Sequence, residues 1–232
     1  MNKRLKAILA HIPDGKGVID VGTDHGYIPA ALYQNGYSGC IIASDINAGP
    51  LDSARRTADN VGALERIEFL LCDGLDGCDS SKIDTIVIAG MGGDTICGIL
   101  DRAEWCIAPG YELVLQPMTR AEILRFWLIN NGFEITAEEY VRDGNLYQLF
   151  TAHFGVSKKY SDAELYTGRY EQVAADPLFP DFLNALIKRF EYEVSRMTCS
   201  GADKDSLRSA FSRHILDELY GMRTNHENTR DI

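Results

Sequence analysis

Residues 17–29 read Gly17-Val-Ile-Asp-Val-Gly-Thr-Asp-His-Gly-Tyr-Ile-Pro29, an apolar run that leads through a glycine-containing turn into a helix. Val18, Ile19 and Val21 are typical of a buried parallel strand, which is apolar on both faces. Gly22 allows a backbone conformation that a side chain would block. Amides at the start of the following helix have no partner within it and can bind a polar ligand. The stretch predicts the first strand, turn and helix of a doubly wound nucleotide-binding domain.

The turn differs from the dinucleotide-binding pattern G-x-G-x-x-G. That pattern would need glycine at position 24, where this chain has Asp24. A carboxylate there would repel a pyrophosphate, but together with Asp20 it could receive the ammonium group of a ligand. Gly26 is expected to let the helix pack close to the strand. Taken alone, the turn is equally typical of any strand-to-helix connection, so other positions must decide its function.

Length and composition narrow the class of protein. The chain has 232 residues, of which 45% are hydrophobic and 25% charged, which suits one large domain or a core domain with an appendage. Its net charge of −11 argues against a broad nucleic-acid-binding surface. No apolar run reaches the roughly 20 residues that span a bilayer, and the six cysteines form no Cys-x-x-Cys pair. We expect a cytoplasmic monomer or weak dimer with no metal and no membrane contact.

Acidic residues follow the ends of the next two predicted strands. Asp45 comes 23 residues after Gly22, about the spacing at which an acid binds ribose hydroxyls. A lone acid at that point could equally cap the next helix. Asp73, followed by Gly74, comes after the strand Ile67–Leu71 and could accept a hydrogen bond from the exocyclic amine of an adenine. Its alternative is an ordinary Asp-Gly turn.

The strongest buried strand is predicted at Ile83–Ala89, and it leads directly into Gly90-Met91-Gly92-Gly93. Glycines at this point bring bare backbone against whatever occupies the crevice, so carbonyls and amides can bind the edge of a substrate. As structure alone, the same residues would form a tight strand-to-helix turn. A fifth strand, Tyr111–Leu115, ends in Gln116-Pro117-Met118.

The end of the sheet is predicted to be a β-hairpin. Residues 133–140 and 146–154 flank Arg142-Asp143-Gly144-Asn145, which is a turn signal. An antiparallel hairpin at the end of an otherwise parallel sheet is not the usual plan of a dehydrogenase. The pattern therefore favours another kind of nucleotide-binding enzyme.

From Ser157 onward the strand signals stop. Apolar residues recur at helical spacing between Phe182 and Met197 and again at Leu207, Phe211, Ile215 and Leu219, which predicts two packed helices. They would be joined through residues 198–203. We predict three parts of the chain: an α/β domain at residues 1–155, a helical appendage at residues 156–225, and a frayed tail at residues 226–232.

Assembled in order, these motifs resemble the class I S-adenosylmethionine-dependent methyltransferases, and more closely the bacterial family that methylates N1 of adenine 22 in tRNA. The resemblance covers about residues 4–153. It rests on stretches in the family's order and at its spacing: Asp20–Pro29, Asp45 with Gly49-Pro50, Asp73–Leu75, Ile88–Gly93 and Leu115–Met118. The first and fourth stretches are specific in combination, although neither is specific alone. The resemblance implies a Rossmann-like α/β fold with a seven-stranded, mostly parallel sheet whose last strand is antiparallel.

The resemblance also implies S-adenosylmethionine as the cofactor, bound by residues at the carboxyl ends of the strands. These are Asp20, Gly22, Asp24 and His25 around its methionine part, Asp45 at the ribose, Asp73 and Gly74 at the adenine, and Gly90 and Met91 beside them. His25 has an alternative, which is a hydrogen bond to the backbone within the turn.

The target base is expected in a pocket that Gly90, Met91 and Gly92 line, with Tyr27 or Met118 packed on its ring. Adenine N1 carries an in-plane lone pair, so a strong base is not essential. Rate enhancement would come mainly from alignment of N1 with the methyl carbon and the sulfur. Because N1 is engaged in ordinary base pairing, the adenine must be unpaired or extruded before it reacts.

The implied partner is tRNA, and its phosphates are expected to contact basic residues outside the motifs. These are Lys3, Arg4, Arg120, Lys158 and Lys159. Lys3 and Arg4 belong to a helix predicted at residues 2–12, and the alternative for them is a solvated basic face on a lid helix. Two other functions stay open: methylation of a small metabolite, which the acidic surface would suit, and a non-catalytic nucleotide-binding module.

Overall fold

The structure is a computed structural model that describes residues 2–199 and 207–230. The chain divides into two compact units, Met1–Lys158 and Lys159–Ile232. The first unit contains a sheet whose strands are β1 Gly17–Val21, β2 Cys40–Asp45, β3 Ile67–Leu71, β4 Thr85–Gly92, β5 Glu112–Thr119, β6 Phe133–Asp143 and β7 Asn145–Phe154. Its α-helices are α1 Lys3–Ala10, α2 Tyr27–Gln34, α3 Ala48–Asn60, α4 Gly93–Arg102 and α5 Ala121–Asn130.

The sheet has the strand order β3-β2-β1-β4-β5-β7-β6. The first five strands in this order pair in parallel, and β7 is antiparallel to both β5 and β6. This arrangement confirms the predicted Rossmann-like α/β fold with seven strands and an antiparallel ending. β1 and β4 are neighbours, and the strand order reverses between them. Ligands of such sheets bind outside the carboxyl ends of the strands at this reversal.

The glycine at the start of α2 packs differently from our expectation. Gly26 adopts a φ of +67°, and a Cβ placed on it would lie 2.8 Å from the Cβ of Ala54 in α3. The close neighbour that requires glycine is therefore a second helix and not the strand. The turn keeps its predicted position, but the reason for this glycine is helix-to-helix packing.

A buried ion pair joins α5 to the hairpin. The guanidinium of Arg125 donates from Nε to Oε2 of Glu138 at 2.7 Å, and both side chains are only 1% exposed. Arg125 also donates to Oε1 of Gln148 and stacks over the ring of Phe150, with 4.8 Å between Cζ and the ring centroid. A buried charge is tolerated only when it is paired and hydrogen-bonded, and this arrangement meets that condition.

The second unit is helical in its described part, with α6 Asp162–Thr167, α7 Tyr170–Val173, α8 Phe179–Cys199 and α9 Leu207–Arg230. Helices α8 and α9 pack on each other, as predicted, and the hydroxyl of Tyr220 donates to Glu191 at 2.6 Å. Residues 226–230, which we expected to be frayed, belong to α9. The expected connection at residues 198–203 falls on α8 up to Cys199 and beyond that lies outside the described residues. Within residues 2–199 and 207–230, no helix is long and apolar enough to cross a membrane.

The predicted apolar stripe of α9 is wrong at its first two positions. Leu207 is 91% exposed and Phe211 is 46% exposed, whereas Ser209 and Ser212 are buried. The α-helix has 3.6 residues per turn, so a stripe that advances by four residues drifts around the helix by about 40° at each step. Only Ile215 and Leu219 of that stripe remain on the buried side.

Candidate functional site

Two cavities open at the carboxyl ends of the strands in the first unit. The larger has a volume of about 750 Å³ and lies beside the turn after β1 and under α1. The smaller has a volume of about 510 Å³ and lies beside the ends of β2 and β3. Gly22, Ala89 and Gly90 line both cavities. The two cavities are therefore adjacent at the carboxyl ends of β1 and β4, where the strand order reverses.

Asp20 places a buried carboxylate at the wall of the larger cavity. The residue is only 4% exposed, and the hydroxyl of Thr23 donates to its Oδ2 at 2.7 Å. Burial raises the pKa of Asp20 to about 6, the hydrogen bond from Thr23 partly opposes that shift, and the negative charge of Asp45 adds to it. No cation of the described residues forms an ion pair with Asp20. The site therefore holds an acid that is suited to receive a positively charged group.

The turn after β1 brings the next three predicted residues to the same cavity. Asp24 has a φ of +50°, which is unusual for a residue other than glycine. Nε2 of His25 lies 3.6 Å from Oδ2 of Asp24, and both side chains are exposed, so this contact is loose. The ring of Tyr27 lies 5.4 Å from that of His25 and is 53% exposed. Backbone strain of this kind concentrates at functional sites.

The smaller cavity contains Asp45 and a residue that the sequence reasoning missed. Asp45 is 9% exposed, and one of its oxygens accepts from the amide of Asn47 at 2.9 Å, so the carboxylate is fixed in orientation. Ile46 lies next to it in the cavity wall and is 60% exposed. A large apolar side chain exposed inside a cavity suits a flat ligand ring. Its signal in the sequence was its position directly after the predicted ribose-binding acid.

Asp73 and Gly74 line the smaller cavity, as predicted, but Asp73 has a partner that the sequence did not indicate. Nη2 of Arg102 donates to its Oδ1 at 2.8 Å, and Arg102 lies in the wall of the same cavity. The carboxylate that we expected to bind an exocyclic amine is thus held by an arginine from the end of α4. Gly74 has a φ of +65° and packs on Ile99 of the same helix.

The predicted glycine turn after the central strand is a bulge within the strand. β4 continues to Gly92, and in its pairing with β5 the residues opposite Gln116 and Pro117 are Ala89 and Met91. Gly90 is the extra residue between them, with a φ of +82°. The methyl group of Met91 lies 2.1 Å from the point where a Cβ on Gly22 would stand. The bare backbone that we predicted is present, and Gly92 follows it at the start of α4.

Arg4 reaches the same bulge from α1. Its Nη1 donates to Oε1 of Gln116 at 3.0 Å and lies 3.3 Å from the sulfur of Met118. Its Cζ lies 5.4 Å from the centroid of the Tyr147 ring. Arg4 and Met118 both line the larger cavity, and Met118 is 42% exposed. Met118 and Tyr27 are thus available to pack on a ring that enters there.

The other basic residues predicted to contact RNA lie outside both cavities. Arg120 is tied to Asp94, with 3.2 Å between Nη1 and Oδ2, and adopts a φ of +57° before α5. Lys3, Lys158 and Lys159 are exposed. The structure thus brings Arg4 alone of this group to the cavity wall.

Comparison with known proteins shows which family the sequence of this chain matches. Residues 1–150 match the family described as "Methyltransferase domain". The tRNA (adenine(22)-N(1))-methyltransferase of Bacillus subtilis is 33% identical over 156 residues, which are 67% of this chain and 66% of that protein. A putative tRNA methyltransferase of Mycoplasma pneumoniae is 30% identical over 218 residues, which are 88% of this chain and 92% of that protein.

A solved structure extends the similarity over nearly the whole chain. It is that of a putative tRNA (m1A22) methyltransferase of Streptococcus pneumoniae in complex with S-adenosyl-L-methionine. The two chains are 26% identical with a TM-score of 0.78, and the superposition covers 96% of this chain and 99% of the other.

Proposed function

The chain belongs to the methyltransferase domain family, and on this premise we propose that it methylates N1 of adenine 22 in tRNA. The family and its cofactor, S-adenosylmethionine, agree with what the sequence motifs implied. The position of the modified nucleotide is the one implied by the resemblance of the motifs, and it is also the position methylated by the Bacillus subtilis relative. From this proposed tRNA substrate we also infer a cytoplasmic reaction.

The residues at the two cavities fit this cofactor. Asp20, buried without a cationic partner, is the observation that carries the proposal, because a carboxylate in that state is stabilised by an ammonium group. Asp45 with Ile46 offers an oriented acceptor for ribose hydroxyls beside an apolar surface. Asp20 and Asp24 would therefore hold the methionine end, and the smaller cavity the adenosine end. When bound, the cofactor supplies a methyl group that is activated by its attachment to a sulfonium.

Arg102 changes the expected role of Asp73. Because the guanidinium already pairs with the carboxylate, we assign to Asp73 the task of fixing Arg102 at the cavity wall. The adenine edge of the cofactor would then meet the backbone at Gly74 and the face of Ile46. Under this revised assignment, Asp73 and Gly74 both remain in the proposed site.

The bulge at Gly90 is the proposed entry for the target base. Because Gly90 has no side chain, its backbone groups are accessible from both cavities, which it lines. An extruded adenine could offer its exocyclic amine to carbonyls at residues 90–92, with Tyr27 or Met118 against the ring. The lone pair on N1 then needs alignment rather than deprotonation. We assign these residues positioning roles and no role in proton transfer.

Methylation of a small metabolite is the second candidate, because the chain carries a net charge of −11. Labelled S-adenosylmethionine should be incubated in parallel with an unmodified tRNA transcript, with a metabolite extract, and with no acceptor. We expect label in the tRNA alone. Label only among the metabolites would support the second candidate. No label in either arm, with tight binding of S-adenosylhomocysteine by calorimetry, would indicate a non-catalytic module.

Replacing Asp45 should weaken cofactor binding without unfolding the domain. Asp45→Ala removes the charged acceptor proposed for the ribose, and hydrogen bonds to charged groups contribute about 1.5–3 kcal/mol. We expect the Kd for S-adenosylhomocysteine to rise roughly 10- to 100-fold. Calorimetry measures this change, and Asp52→Ala on the exposed side of α3 is the control. An unaltered Kd would remove Asp45 from the site.

A further inference from the structure

Arg4 is a cation held at the wall of the larger cavity by neutral groups. Its guanidinium contacts the amide oxygen of Gln116 and the sulfur of Met118 on one side and faces the ring of Tyr147 on the other. Gln116 is only 1% exposed, and its own amide donates to the carbonyl of Pro117 at 3.0 Å. The buried amide thus fixes which atom faces Arg4. This support orients the guanidinium without neutralising it.

The charge of Arg4 has no counterion among the described residues. The acids that line the same cavity, Asp20 and Asp24, belong to the end of β1 and the turn after it, and neither forms an ion pair with Arg4. Nη1 of Arg4 lies 3.8 Å from the point where a Cβ on Gly90 would stand. The cavity therefore has carboxylates at one part of its wall and an oriented guanidinium at the bulge. A ligand that fills it should carry negative charge near Gly90.

We propose that Arg4 is a positioning residue that binds a phosphate next to the target adenosine; this inference rests on the proposed function. Methylation of N1 places positive charge on the adenine ring, so a guanidinium against the ring itself would oppose the reaction. A phosphate stays negative throughout, and the planar fork of arginine matches its oxygens. Lys3 and Lys6 on the solvent side of the same helix are exposed, which favours approach of a nucleic-acid backbone there. Arg4 would hold the extruded nucleotide so that its base enters at Gly90.

A chemical double-mutant cycle tests the contact. Full-length tRNA is prepared with a single methylphosphonate, which is uncharged, at the 5′ or the 3′ phosphate of adenosine 22. Binding is measured by fluorescence anisotropy with S-adenosylhomocysteine present, so the readout does not require turnover. For the protein without amino-acid substitutions, we expect one of the two methylphosphonates in the tRNA to weaken binding about tenfold, as for the loss of a charged hydrogen bond. In Arg4→Gln the same methylphosphonate should cost less than twofold.

Two further variants make the result specific. Lys6→Gln removes one positive charge from the exposed side of the same helix, and it should keep the full methylphosphonate penalty. Arg4→Lys keeps the charge without the fork and should show an intermediate penalty; it also replaces Arg4→Gln if that variant does not fold, as judged by circular dichroism. The number of phosphate contacts should fall by one in Arg4→Gln. The negative slope of log K against log salt concentration should therefore become shallower by about 1.

Several results would overturn the inference. One is equal methylphosphonate penalties in the unmodified chain and Arg4→Gln at both phosphates, and another is no tRNA binding by the unmodified chain. A third is weaker binding of S-adenosylhomocysteine by Arg4→Gln without coupling to either phosphate, which would assign Arg4 to the carboxylate of the cofactor. Failure of the proposed function is measured separately, by methyl transfer to tRNA. In that case the unmodified chain would transfer no methyl group to tRNA, whatever the outcome of the binding cycle.

Discussion

Asp20→Asn should weaken cofactor binding more than any other single substitution in the site. The variant keeps the acceptor for Thr23 but removes the negative charge that we expect to bind the ammonium group. Loss of one partner from a buried, hydrogen-bonded charge pair costs about 2–5 kcal/mol. We therefore expect the Kd for S-adenosylhomocysteine to rise at least 30-fold, and by more than 100-fold if the site excludes water. Calorimetry at pH 7.5 measures this change.

The same variant should be more stable than the unmodified chain. A pKa raised from 3.8 to about 6 means that the folded protein binds the Asp20 proton more tightly than the unfolded chain. The ionised side chain thus destabilises the fold above pH 6, by roughly 3 kcal/mol at most. This cost disappears as the pH falls from 6 to below 3.8. Asp20→Asn should raise the melting temperature at pH 7.5, whereas a lower melting temperature with unchanged affinity would contradict the assignment.

Cofactor affinity should also follow the protonation of Asp20. Binding needs the ionised carboxylate, so the affinity of the unmodified chain should fall as the pH is lowered through about 6 and approach a tenfold loss for each further unit. The amino group of the ligand stays protonated in this range. Asp20→Asn should show little pH dependence between 5 and 7.

Glu138→Gln should cause a large loss of stability in the first unit. It leaves the guanidinium of Arg125 buried without its carboxylate, and such a loss costs about 3–5 kcal/mol. Both tryptophans of the chain, Trp105 and Trp127, belong to this unit, so urea unfolding followed by tryptophan fluorescence reports on it directly.

Two controls accompany this prediction. Glu139→Gln, on the same strand, alters a partly exposed pair with His11 and should cost less than about 1 kcal/mol. The double variant Arg125→Met/Glu138→Leu removes both charges and should recover most of the stability. A loss below 1 kcal/mol for Glu138→Gln would show that the pair is not buried in solution.

Local patterns were sufficient for the elements that position the site. The strand Ile67–Leu71 has the bounds predicted from its apolar run. The hairpin turns at Gly144, as its turn residues indicated, with a φ of +73°. Each of these features depends on residues adjacent in the chain, where side-chain type and backbone preference act together.

Contacts between distant residues could not be predicted from such patterns. Arg4 and Gln116 are 112 positions apart, and the salt bridge of Arg102 with Asp73 joins the end of α4 to the loop after β3. Nothing in either segment specifies the partner. The bulge at Gly90 was likewise invisible, because a glycine after a strand is compatible with a turn or with an extra residue inside the strand. These contacts determine which predicted residues face the cavities.

The most direct test of the account is mass spectrometry of a tRNA transcript after incubation with the chain and S-adenosylmethionine. Nuclease digestion and fragment mapping should find 1-methyladenosine at position 22, and a transcript with guanosine at that position should gain no methyl group. Methylation of another position or atom, or equal methylation of both transcripts, would contradict it.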